Sequence, residues 1–113
     1  MAMYGATASQ VAYLACPTTT NQACCNMITN SFEAAAYLYF HCLFKQEEIK
    51  RLANGGAQEN LSQELICSQP IIIPNTSDCH VLGVILKTII AYSHENFKLG
   101  FILEMLLFKL SKR

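Results

Sequence analysis

Residues 22–45, QACCNMITNSFEAAAYLYFHCLFK, place polar side chains at Gln22, Asn26, Thr29, Glu33, Tyr37, His41 and Lys45. Steps of three and four put these on one arc of an α-helix. Cys25, Ile28, Phe32, Ala35, Leu38, Tyr39, Cys42 and Leu43 fall on the opposite arc. The period is helical, and no strand of this length alternates in that way. Thr19 with Gln22 three places on has the form of a capping box, so the helix is expected to start there. No breaker follows before Asn54-Gly55-Gly56, which reads as a helix stop and turn. The helix is therefore expected to reach Ala53, with a bend near Gln46.

Working outward, residues 1–19 read as a loosely ordered lead-in ending at Pro17 and a threonine run. Residues 57–67 suggest a short helix with Leu61, Leu65 and Ile66 inward. Pro70 and Pro74 bracket Ile71-Ile72-Ile73, and the residue before a proline is pushed to extended geometry. That segment is an extended connector or an edge strand. Asn75, Thr76, Ser77 and Asp78 offer N-caps for the next helix. Its polar stripe is His80, Lys87 and His94, opposite Val81, Leu82, Val84, Ile85, Leu86, Ile89, Ile90 and Tyr92. Asn96 is the expected break before a last helix from Phe97 to about Ser111. That helix is apolar all round, a pattern expected of a helix buried on all sides. The fold predicted is all-α, an irregular bundle of four to five helices in one domain, residues 1–113, built around the helix near 97–111.

Composition narrows function. Of 113 residues, 52% are hydrophobic and 14% charged, with eight basic and eight acidic side chains cancelling. So few charges leave apolar surface that a partner or a second copy would cover. Basic residues cluster only at Lys109, Lys112 and Arg113, and phosphate neutralisation needs a denser footprint. Direct nucleic-acid binding is therefore not expected. The 23–44 stretch contains Asn26, Asn30, Glu33 and His41, and the carboxy-terminal stretch is broken by charges. No transmembrane segment is predicted.

The six cysteines are Cys16, Cys24, Cys25, Cys42, Cys67 and Cys79. Such a count fits either three disulfides in a secreted protein or buried thiols in an intracellular one. The sequons Asn60-Leu61-Ser62 and Asn75-Thr76-Ser77 favour the first. Residues 1–15, lacking a positive start, make a poor signal peptide and favour the second. Intracellular, reduced thiols are the expectation.

No local pattern carries chemistry. Structural zinc needs pairs such as Cys-x-x-Cys, and the adjacent pairs Cys24-Cys25, His41-Cys42 and Cys79-His80 diverge on a helix. Glu33 and His41 lie about 12 Å apart along a helix axis, too far to share an ion. The 26–43 stretch resembles the first helix of ferritin-like proteins, yet their Glu-x-x-His pairs are absent, so no di-iron site is implied. There is no Gly-x-Ser-x-Gly, phosphate loop or dinucleotide fingerprint. Neither enzyme activity nor a cofactor is expected.

Residues 60–92, with Asn60-Leu61-Ser62-Gln63-Glu64-Leu65-Ile66-Cys67-Ser68 and then Leu82 to Tyr92, resemble the carboxy-terminal regulatory region of fungal aflatoxin-type transcription regulators. The resemblance implies a leucine-rich helix ending in a cysteine motif before an aliphatic helix. Gln69 stands where that family has a second cysteine and Ala91 where it has tryptophan; the zinc-cluster segment is absent. The resemblance is not adopted. The reading that remains is a non-catalytic protein-interaction or self-association module. Its expected partner surface is the stripe Phe97, Phe101, Met105 and Phe108 on the last helix, at steps of four, four and three. The rival reading is a carrier holding a small ligand or lipid in an apolar cavity.

Overall fold

The computed structural model describes residues 1–55 and 59–111, apart from the side chains at 54, 55, 59, 100, 101 and 103–111. The chain is mostly helical, as expected. Its elements are α1 (Phe32–Phe44), α2 (Gln46–Arg51), β1 (Asn54–Gly55), β2 (Glu59–Asn60), α3 (Gln63–Cys67) and α4 (Thr76–Ser111). By compactness the chain divides into two units, Met1–Gly83 and Val84–Arg113.

The first helix starts later than the capping-box pattern implies. Ser31 is extended (φ −150°, ψ 159°), and its hydroxyl accepts from the Ala34 N–H at 3.1 Å. Upstream, the backbone is already engaged elsewhere. Met3 N–H donates to Ala23 O (2.9 Å) and Cys25 N–H to Met1 O (2.8 Å). The Asn21 side chain accepts from Ala23 N–H, closing a local turn that competes with a helix. Residues 22–31 therefore keep helical spacing in sequence, yet in space they form a turn, a bridge and an irregular run that ends in a bend. The expected bend is present: Lys45, with its N–H bonded to His41 O and Leu43 O, separates α1 from α2.

Residues 1–9 of the expected lead-in contribute to the core. Met1, Met3 and Ala8 pack with Cys25, Cys42, Ile49, Leu61 and Ile66. Three backbone segments lie side by side there. Ala2 bridges Cys24, Tyr4 bridges Asn60, and Leu61 N–H donates to Met3 O at 2.7 Å. The turn expected at Asn54-Gly55-Gly56 is a two-residue antiparallel ladder, Asn54 opposite Asn60 and Gly55 opposite Glu59; Gly56 lies outside the described residues. Helix α3 is capped by Ser62, whose hydroxyl accepts from Leu65 N–H, and so covers only the end of the helix expected over 57–67; it buries Ile66 and half-buries Leu65, while the buried Leu61 precedes the cap. Residues 70–75 are the expected extended connector.

The polar stripe of α1 is covered in part. Tyr37 OH donates to Ile72 O of the connector at 2.5 Å. A Cβ added at Gly83 of α4 would lie 3.4 Å from Glu33 Cγ and 3.7 Å from the Phe32 ring. Gly83 is buried there because it lets α4 approach α1 closely.

Asn75 caps α4 through its side chain, which accepts from Asp78 N–H at 2.8 Å. The break expected at Asn96 is absent, and α4 runs through it for 36 residues. Asparagine lowers helix propensity by well under 1 kcal/mol, and one residue of that cost does not stop a helix. A Lys98–Glu95 ion pair at 3.0 Å spans the position. Burial on all sides is not found where side chains are described: Phe97 is 75% exposed, and Leu99 and Ile102 are exposed. An apolar surface states that cover is favourable, not that this chain supplies it.

Candidate nucleic-acid interface

In the 1–83 unit the segment before α1 forms a ridge. Asn26, Ile28 and Asn30 are exposed, and Met27 and Thr29 half-buried. Ile28 stands out most, 94% exposed. The ridge is tied at its base by the Asn26 amide, which donates to the Thr20 hydroxyl at 2.7 Å, and by Thr29, whose hydroxyl donates to Ser31 O at 2.9 Å. A groove of about 500 Å³ lies on one side, its wall mainly apolar (Val11, Leu14, Leu38) with Gln10, Thr20 and Thr29 among it. A second, of about 390 Å³, lies on the other, lined by His41, Lys45, Glu48, Cys67 and Gln69. Asn26, Met27 and Ile28 border both.

This surface is largely apolar, with amides and hydroxyls set into it and little net charge. The groove walls include the cation Lys45, which pairs with Glu48 at 2.6 Å. An exposed pair of this kind contributes little to stability and leaves the ammonium available to solvent. Amide and hydroxyl side chains donate to and accept from base edges and phosphate oxygens alike, and a bare aliphatic suits the thymine methyl.

The thiols beneath the ridge are perturbed. Burial pushes the Cys25 thiol up, the neighbouring Cys67 adds to the rise, and the Met1 amino group opposes it. Burial likewise pushes Cys42 up. A folded-state pKa above the ordinary 9.0 means the folded chain holds these protons more tightly than the unfolded chain does. Their contribution to stability is intact below pH 9.0 and is lost as pH rises toward the folded values. Urea unfolding should give a lower midpoint at pH 10 than at pH 8, and Cys42→Ala should flatten that difference. An unchanged slope in the variant would assign the alkaline loss to other groups.

The sequence matches the family described as "Type I restriction modification DNA specificity domain" over residues 1–99. The chain belongs to this family. No curated protein and no solved structure matches it.

Membership in a DNA specificity family corrects several expectations. The expectation of no direct nucleic-acid contact rested on zero net charge and the missing basic block, and the family overturns it. Net charge is a poor guide here because hydroxyl and amide contacts do not register in it. The interaction-module reading, the carrier reading and the fungal-regulator resemblance fall with it, the last matching far less of the chain. Of the expected partner stripe, Phe97 is exposed on α4, while the side chains of Phe101, Met105 and Phe108 lie outside the described residues. The ridge residues of this specificity domain were hidden in the sequence by being assigned to a helix. The run Thr18-Thr19-Thr20-Asn21, followed by Asn26, Thr29, Asn30 and Ser31, was the signal for a polar loop. Among the described residues no group of three His, Cys, Asp or Glu side chains could hold a metal ion. Among them, too, no helix is long and apolar enough to cross a membrane.

Proposed function

We propose that this chain recognises double-stranded DNA for a restriction–modification system, reading base edges with the ridge at 26–30 and catalysing nothing itself. The observation that carries the reading is the family match across residues 1–99. The ridge supports it, since short amides and hydroxyls beside an exposed aliphatic are the side chains that discriminate bases. The non-catalytic part rests on the sequence, which brings together no local nucleophile, base and orienter. The reading also places the chain inside the cell, where such DNA is.

Selection of the full chain against a pool of random-sequence duplexes tests the proposal. The bound fraction should converge on a short motif, and a bound fraction indistinguishable from the input would overturn it. With few cations on this surface, affinity should fall gently with salt, by a log–log slope of about −0.9 for each phosphate neutralised. Lys45→Ala should weaken all sequences alike and make the slope shallower by about one. Asn26→Ala should instead relax preference at one base pair, by about 1–3 kcal/mol of discrimination. The same uniform loss from both variants would remove the ridge from base reading.

A further inference from the structure

The side chains of the ridge alternate in exposure. Asn26, Ile28 and Asn30 are exposed, while Met27 and Thr29 between them are half-buried. That is the side-chain period of an extended chain. Both ends of this arch are fixed. At one end the buried Cys25 exchanges two backbone bonds with Met1: the Met1 amino group donates to Cys25 O at 2.9 Å, and Cys25 N–H donates to Met1 O at 2.8 Å. At the other end Ser31 caps α1. Met27 packs against the core, and the Asn26 and Thr29 side chains add their bonds to Thr20 and Ser31. At the crown stands Ile28, 94% exposed, with a groove on either side. A lone exposed isoleucine is ordinary on a protein surface. This one is held out on an anchored arch, midway between two exposed amides, in a chain of a DNA specificity family.

We infer that Ile28 is a wedge: it enters a base-pair step from the minor groove, parts the stack and kinks the duplex, while Asn26 and Asn30 meet the base pairs on either side. The inference rests on the DNA reading proposed above and adds how the ridge engages the duplex. Aliphatic side chains serve as such wedges, and amides beside them read the minor-groove acceptors of A·T pairs. The reach fits. At about 3.3 Å per residue, each asparagine stands up to about 6.6 Å from Ile28 along the chain, no more than about two base-pair rises. The grooves fit as well. Their largely apolar walls, with Val11 and Leu14 on one side and Pro70 and Ile71 on the other, suit deoxyribose edges better than phosphates. Parting a stack costs energy, and a loose arch would yield before the DNA did. The anchors at Cys25 and Ser31 oppose that. Pyrimidine–purine steps open most easily, so the recognised sequence should carry TA, CA or TG under Ile28, although no hydrogen bond from that side chain reads it.

The test uses the full chain and the duplexes recovered from the random-sequence pool. These are remade with a fluorescent adenine analogue, quenched by stacking, at each adenine in turn and, separately, with a dye at each end. Binding should raise the analogue's fluorescence at one central step and shorten the distance between the dyes. Ile28→Ala should abolish both signals and Ile28→Phe should keep them; at so exposed a position neither change disturbs the core. Replacing thymine by uracil throughout should leave affinity unchanged, since the thymine methyl lies in the major groove. A recovered motif bound without either signal would overturn the wedge and leave the DNA reading standing. Signals that persist in Ile28→Ala would overturn it too. So would a loss of affinity on uracil substitution that Ile28→Ala cancels, which assigns Ile28 to the thymine methyl. A pool that yields no motif sinks the DNA reading, and the wedge with it.

Discussion

Replacing Leu61 by alanine should cost about 2–5 kcal/mol, a large share of the roughly 5–15 kcal/mol that holds a domain of this size folded. Leu61 is 1% exposed and among the largest fully buried side chains. It packs in the cluster with Met1, Met3, Cys25 and Ile66, where three backbone segments meet. Those segments are tied by hydrogen bonds, so they relax little into the vacated volume, and the cavity persists. Gln22→Ala, at an exposed position, should stay within about 0.5 kcal/mol. Urea unfolding followed by far-ultraviolet circular dichroism measures both. Equal midpoints for the two variants would mean that the core lies elsewhere.

The second large effect runs the other way, from added volume. Ala36 is 0% exposed on α1, one turn beyond Phe32. That ring meets Tyr13 edge-on at 5.8 Å and also approaches Gly83. Ala36→Leu inserts three carbons into a site with no free surface and should destabilise by about 1–3 kcal/mol. Helix propensity does not account for such a loss, because leucine is nearly as good a helix former as alanine. Ala35→Leu is the control, since Ala35 is half-buried at the wall of the first groove. The Ala36 variant should lose several times more thermal stability than the Ala35 variant. Matching losses would show that α1 is tolerant all round.

Local signals were legible where local physics decides. The Ser62 and Asn75 caps, the bend near Gln46, the proline-bracketed connector and the inward side of α3 all follow from neighbouring residues. The segment 22–31 was not legible, because its helical spacing competes with pairing to residues 1–3, which no window of sequence contains. The ridge was missed for the same reason: polar residues assigned to a solvated helix face are in fact a loop between two grooves. The link to a DNA specificity family was missed because charge was used as the gauge. Amides and hydroxyls are neutral, and what such groups can contact depends on placement rather than on composition.

The side-by-side segments near residues 2, 24 and 60 bear on how fast the chain reaches its native state. A helical protein ordinarily folds quickly because its contacts are near in sequence. Here the Tyr4–Asn60 bridge and the bond from Leu61 N–H to Met3 O wait until residues 60 and 61 exist. At about 5–20 residues per second of synthesis, that interval lasts roughly 3–11 s. Met1, Met3 and Ala8 stay partly uncovered for its duration, because Leu61 and Ile66 of the core that buries them are missing. Closing the loop then carries an entropic barrier that the helices, however readily they form, do not lower. Assembly of the ridge is therefore paced by the arrival of α3, and a ribosome that stalls before residue 61 leaves a chain whose core lacks Leu61 and Ile66.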